Sequence, residues 1–166
     1  MDAAETNTKQ GTALLDETMM RAALDEARAA SEREPPDVPV GAIVAAGGRI
    51  VARGHNQVEA RRDPTLHAEV VAIREAARVL GSPRLDGATL YVTVEPCLMC
   101  AGAIVLARID RVVIGCDDPK AGAVTSLYTA LSDARLNHRC RVVRGVLAEE
   151  SADLLRAFFA RRRAPA

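Results

Sequence analysis

The sequence predicts an α/β fold, with a sheet of about five strands lying between helices, and three observations predict it. An amphipathic stretch near the N-terminus is closed by Pro35-Pro36, an apolar hairpin turns at Gly47-Gly48, and strand-like and helix-like segments alternate from there to the C-terminus. Strand–helix–strand succession requires a right-handed crossover and leaves the two strands as parallel neighbours.

Each element has its own signature. Over residues 16–33, Met20, Leu24, Ala27 and Ala30 recur at helical spacing with charges between them, and the double proline stops the helix. The residues before it are polar, so residues 1–15 are expected to form a disordered tail ahead of one domain spanning 16–166. Residues 40–46 are apolar and rich in β-formers, and 49–54 follow after the two glycines, which reads as a hairpin with a two-residue turn. A loop through Arg61, Arg62, Asp63 and Pro64 leads to a helix over 66–80, ended by Gly81 and Pro83. Then come a strand at 89–94, a helix at 97–107, strands at 111–115 and 142–147, and a closing helix at 148–163 with Leu154, Leu155, Phe158 and Phe159 apolar.

At 166 residues, 49% of them hydrophobic and 27% charged, the chain can fold as one domain without staples. Its apolar runs stay well short of the roughly 18 residues a membrane span needs. The N-terminus lacks a basic segment followed by an apolar one, so a cytoplasmic protein is expected. A net charge of zero argues against a wholesale polyanion binder, but the charge is uneven. From Arg135 onward eight arginines face three acids, enough for a local basic surface. The same arginines at 161–163 also suit a helix C-terminus.

Four cysteines are too few for a disulfide scaffold, and two of them, Cys97 and Cys100, are spaced as CxxC. That spacing alone serves redox dithiols as well as metals. Its context narrows it: His67-Ala68-Glu69 begins one expected helix and Pro96-Cys97-Leu98-Met99-Cys100 begins the next. Amides and dipole at a helix start favour a thiolate, the form that binds zinc. Within a regular helix His67 and Glu69 point nearly opposite ways, but at the first turn they can straddle one pocket. His67, Cys97 and Cys100 then make three zinc ligands, leaving a vacant position, the catalytic arrangement. Two thiolates and a neutral imidazole cancel the zinc charge, so a nearby carboxylate must help deprotonate water. Glu69 supplies it as general base and proton carrier. Cys116 and Cys140 read as small buried residues, and His55 and His138 as surface or loop residues.

HxE followed by a strand and PCxxC resembles the zinc nucleobase deaminase signature, and the chain is similar to the bacterial tRNA-specific adenosine deaminases. The resemblance runs from about residue 20 to 163. It includes Val38-Pro39-Val40-Gly41-Ala42, Asn56, Asp63-Pro64-Thr65 and Ala101-Gly102-Ala103. Later come Asp118, Lys120, Gly122 and Ala123 in a DxKxGA segment, and Asn137-His138-Arg139. Residues 35–37 look like a small insertion before the hairpin.

The resemblance implies a cytidine-deaminase-like three-layer α/β/α sandwich with a mixed sheet, one zinc per subunit, a homodimer, and a wobble adenosine of an arginine tRNA as target. It implies that Asn56 binds the flipped nucleotide and that Asp118 and Lys120 line the anticodon-loop path. Asn137, Phe159, Arg162 and Arg163 are implied as further substrate contacts. Lys120 stands out because lysines are only two of the 22 basic residues, and an asparagine offers both donor and acceptor. Phe158 and Phe159 lie about 100° apart on a helix, so one can pack inward while the other stacks on a base. The rival reading is a deaminase of a free nucleobase or nucleoside such as guanine or cytosine. A zinc-stabilised RNA-binding module is a second rival, in which Glu69 would have no task.

Overall fold

The computed structural model describes residues 3–163, with side chains from residue 10 onward. Its elements run α1 (Ala3–Ser31), β1 (Gly41–Ala46), β2 (Arg49–His55), α2 (Val58–Arg61), α3 (Ala68–Leu80), β3 (Thr89–Val94), α4 (Leu98–Leu106), β4 (Arg111–Cys116), β5 (Arg141–Arg144) and α5 (Ala148–Arg163). A 3₁₀ turn, Ala130–Ser132, precedes β5. The sheet has five strands in the order β2-β1-β3-β4-β5. β1 pairs antiparallel with both β2 and β3, while β3–β4 and β4–β5 are parallel, so the sheet is mixed. The expected architecture is the one found.

Period-two alternation decides what each face of the sheet buries. Ala42, Val44, Leu90, Val92, Val112 and Ile114 point to the layer that holds α3 and α4, packing on Ala72, Ala76, Ala101 and Ile104. Ile43, Ala45, Tyr91 and Val113 point the other way and pack on Met19, Met20 and Ala23 of α1. α5 joins α1 on that second face. The hairpin turns through Gly47 and Gly48 at φ of 57° and 74°, the double left-handed geometry that a two-residue turn demands.

Three boundaries differ from expectation. Where a disordered tail is expected over residues 1–15, α1 runs back to Ala3 rather than opening near residue 16, and residues 1–2 of that tail lie outside the described residues. The early residues include good helix formers, but Leu14 and Leu15 stay exposed, so no apolar stripe marked them as helical. β5 ends at Arg144 instead of continuing to 147, because Gly145 and Leu147 adopt positive φ and turn the chain out of the sheet. The loop after the hairpin contains a short helix, α2, whose N-terminal amides need a partner. Buried Asp37 provides it, accepting from Glu59 N at 2.8 Å and Ala60 N at 3.2 Å.

α1 is latched to the sheet by a buried polar cluster. Arg111 grips Asp16 with two nitrogens at 2.8 and 2.6 Å, and the Tyr91 hydroxyl donates to the same carboxylate at 3.1 Å. Asp16→Ala would leave a shielded guanidinium and a buried hydroxyl without their acceptor. The expected loss is about 3 kcal/mol of unfolding free energy, read from urea denaturation. A loss of only a few tenths would put the pair in the class of exposed bridges.

Candidate active site

Two helix starts on the same face of the sheet meet at the site. His67 is the N-cap of α3 and Cys97 the N-cap of α4, both with extended backbone and neither spending its side chain on a cap hydrogen bond. Because His67 lies just outside the helix and Glu69 within its first turn, the two escape the opposed directions of a regular helical pair and lie close enough to interact. Gly54 on β2 lets α3 come this close, since a Cβ there would stand 2.6 Å from Ala68 O and Ala72 N.

His67 Nδ1 lies 3.6 Å from Cys97 Sγ and 3.5 Å from Cys100 Sγ. The three ligand atoms lie within 4.8 Å of one another, and among the described residues this is the group able to hold a metal ion. Hydrogen bonds from Cys100 and then His67 draw the Cys97 thiol down to about 4. Its neighbour Cys100 is pushed up, first by its hydrogen bond to Cys97 and then by burial. Cys97 is thus drawn toward the thiolate and Cys100 toward the thiol. A bound divalent cation would let both ionise, so the donor set of one nitrogen and two sulfurs fits zinc.

Glu69 is 3% exposed and close enough to Cys100 and His67 to interact with both. Burial pushes its carboxyl up to about 7, against the pull of its own backbone amide and of the His67 charge. A carboxyl with that affinity both takes and releases a proton near neutrality.

Asn56, 8% exposed, is tied to the same corner: its Oδ1 accepts from Ala68 N at 3.0 Å, one residue past His67. Asp118 is half-buried and folds its own turn, with Oδ1 accepting from Lys120 N and Ala121 N, while Lys120 is exposed. Phe158 is buried and Phe159 is 42% exposed, which divides the pair between core and surface. Arg162 lies over the Phe158 ring at 5.6 Å, and Arg163 and Asn137 are exposed. The described contacts bring Asn56 to the His/Cys/Cys group and do not bring Asn137, Phe159, Arg162 or Arg163 to it.

Two readings of single residues change. His55 is largely enclosed rather than on the surface: its Nδ1 pairs with Glu26 at 2.9 Å, and its buried Nε2 has no protein partner. Glu95, which motif reasoning passed over, is buried between β3 and Pro96 and gathers amides from residues 118 and 124–126. Burial pushes its carboxyl up, but the Ser126 hydroxyl and the Thr125, Asp118 and Ser126 amides outweigh that and hold it down at about 2. A charged residue directly after the apolar strand segment 89–94 was the available signal. Cys116 and Cys140 are buried, as read.

Metal-assisted hydrolysis built on paired helix starts is the chemistry of the zinc deaminases as a class. Residues 14–116 match the cytidine and deoxycytidylate deaminase zinc-binding region, and the chain belongs to that family. It is 49% identical over 144 residues to the tRNA-specific adenosine deaminase of Bacillus subtilis (strain 168), covering 87% of this chain and 88% of that protein. A structure from studies of A-to-I editing by tRNA:A34 deaminases at the wobble position of transfer RNA aligns with a TM-score of 0.79. Identity there is 46%, over 83% of this chain and 99% of that one. A guanine deaminase from Nitrosomonas europaea is similar at lower identity, 25% with a TM-score of 0.74, over 87% and 84% of the two chains. Among the described residues no helix is long and apolar enough to cross a membrane.

Proposed function

We propose that this protein hydrolytically deaminates the wobble adenosine in a transfer RNA anticodon loop, producing inosine and ammonia, with one zinc per subunit held by His67, Cys97 and Cys100. The carrying observation is a buried carboxylate beside a donor trio. A structural zinc site is closed by four donors, whereas three donors with an acid alongside suit catalysis.

Zinc, when bound, acidifies a water and so supplies the nucleophile. Glu69 would accept one proton from the attacking water and deliver it to the ring nitrogen next to the carbon under attack, then take the second proton from the new hydroxyl on that carbon and pass it to the departing amine, leaving a carbonyl and ammonia. Anchoring Asn56 Oδ1 on the Ala68 amide fixes its carboxamide plane and leaves Nδ2 to donate to the flipped nucleotide. A single-stranded loop makes flipping cheap. Asp118, Lys120 and Asn137 line the loop's path, with Phe159 stacking and Arg162 and Arg163 meeting phosphates, so binding weakens as salt rises. The RNA is an arginine tRNA, and the enzyme works in the cytoplasm.

The working unit is a homodimer. Leu98, Gly102 and Leu106 follow one another at i, i+4 and i+8 along α4, and Leu106 is 82% exposed. Leu106→Arg is expected to shift sedimentation from dimer to monomer; an unchanged dimer would move the interface off α4.

The functional test supplies the zinc-loaded protein with an arginine-tRNA anticodon stem-loop and, separately, with adenosine, guanine and cytosine. Inosine and ammonia are expected from the stem-loop alone. Release of ammonia from a free base, with none from the RNA, overturns the reading in favour of a free-base deaminase.

A further inference from the structure

Residues 117–126 cross from the end of β4 to the edge of the metal-ligand segment without forming a helix or strand of their own. What shapes them is Glu95. Its Oε1 accepts from Val124 N at 3.0 Å, Thr125 N at 2.7 Å and Ser126 N at 2.9 Å, and its Oε2 accepts from Asp118 N at 3.0 Å and from the Ser126 hydroxyl. One carboxylate thereby ties together both ends of the loop.

The tie reaches the ligand segment as well. Gly122 pairs with Cys97 as an isolated antiparallel bridge, and Ala123 N donates to Pro96 O at 2.8 Å. A Cβ on Gly122 would collide with the Glu95 carboxylate, so glycine is needed for the loop to lie this close. Every donor at this hub is an N–H or an O–H aimed at an acceptor. An ionised carboxylate has about four lone-pair sites for them, whereas a carboxamide would turn two of its own hydrogens toward donors.

We propose that Glu95 is a positioning residue for substrate binding: its carboxylate sets the shape of residues 118–126 and thereby holds Asp118 and Lys120 in register with the Cys97 segment. The proposal rests on the reading that Asp118 and Lys120 line the RNA path. Glu95 makes its side-chain hydrogen bonds to this loop and not to His67, Cys97 or Cys100. Its removal therefore acts on binding, leaving metal retention and the chemical step in place.

The test compares Glu95→Gln, Ser126→Ala and Lys120→Ala, each zinc-loaded, by steady-state kinetics on the stem-loop and by amide hydrogen exchange. For Glu95→Gln the expected result is a KM raised about tenfold with kcat within about threefold of wild type and one zinc retained. Exchange should quicken at residues 118–126 but not at 112–114 of β4. Ser126→Ala keeps the charge and loses one donor, and should give a smaller shift in the same direction, which covers the case of a poorly folding Glu95→Gln. An unchanged KM in both Glu95→Gln and Ser126→Ala while Lys120→Ala raises it overturns the positioning role and leaves the RNA path standing. An unchanged KM in all three overturns both. Exchange that quickens equally in β4 also overturns it, since Glu95 would then support the fold as a whole.

Discussion

Alanine in place of Glu69 is expected to cut kcat on the stem-loop about a thousandfold, the middle of the range for losing a positioned general acid and base. Zinc content and stem-loop affinity should hardly change. Glu69 is the carboxylate placed beside the His/Cys/Cys group, and the nearby Glu95 is already committed to six donors and held low by hydrogen bonds among them. Removing a buried acid that costs desolvation should not unfold the protein, and a thermal melt run in parallel separates lost chemistry from lost structure. Single-turnover inosine formation within tenfold of wild type would remove Glu69 from the mechanism.

Serine at position 100 should abolish metal retention. Cys100 is wholly buried at the first turn of α4, and its sulfur stands 3.5 Å from His67 Nδ1. A hydroxyl keeps the shape but is a harder, far less acidic donor than a thiol, so the site loses one of its two anionic ligands. Zinc surviving dialysis against a chelator is expected to fall from one equivalent to a small fraction, and inosine formation to fall with it by about a hundredfold or more. Zinc retained at one equivalent in Cys100→Ser would mean that another residue completes the group. Chelation of the wild-type protein followed by zinc repletion should restore activity.

The architecture was legible because its signals were local. Gly47-Gly48 demands a tight hairpin, Gly81 stops α3 in the left-handed region, and the alternation of β3 and β4 names the face each side chain takes. The metal group was legible because CxxC and HxE are spacings along the chain, and both fall at the starts of helices that pack on one face of the sheet. What stayed hidden depends on contacts between distant segments. Asp37 caps a helix some 22 positions away, Glu95 gathers a loop some 30 away, and His55 reaches Glu26 on another layer. None of these leaves a periodic trace. The N-terminal extension of α1 was missed for the opposite reason: its residues 10–15 are exposed and leave no apolar stripe.

His67 and Cys97 belong to two different helices, and each adopts its place only once its helix has docked on the sheet. Ion affinity is therefore thermodynamically linked to the integrity of that whole layer, since an ion that binds only the assembled form stabilises it in proportion to the logarithm of its free concentration. Mutations deep in the α3–α4 packing, far from any chemistry, should accordingly surface as a raised requirement for the metal, and growth or storage in ample zinc should mask them.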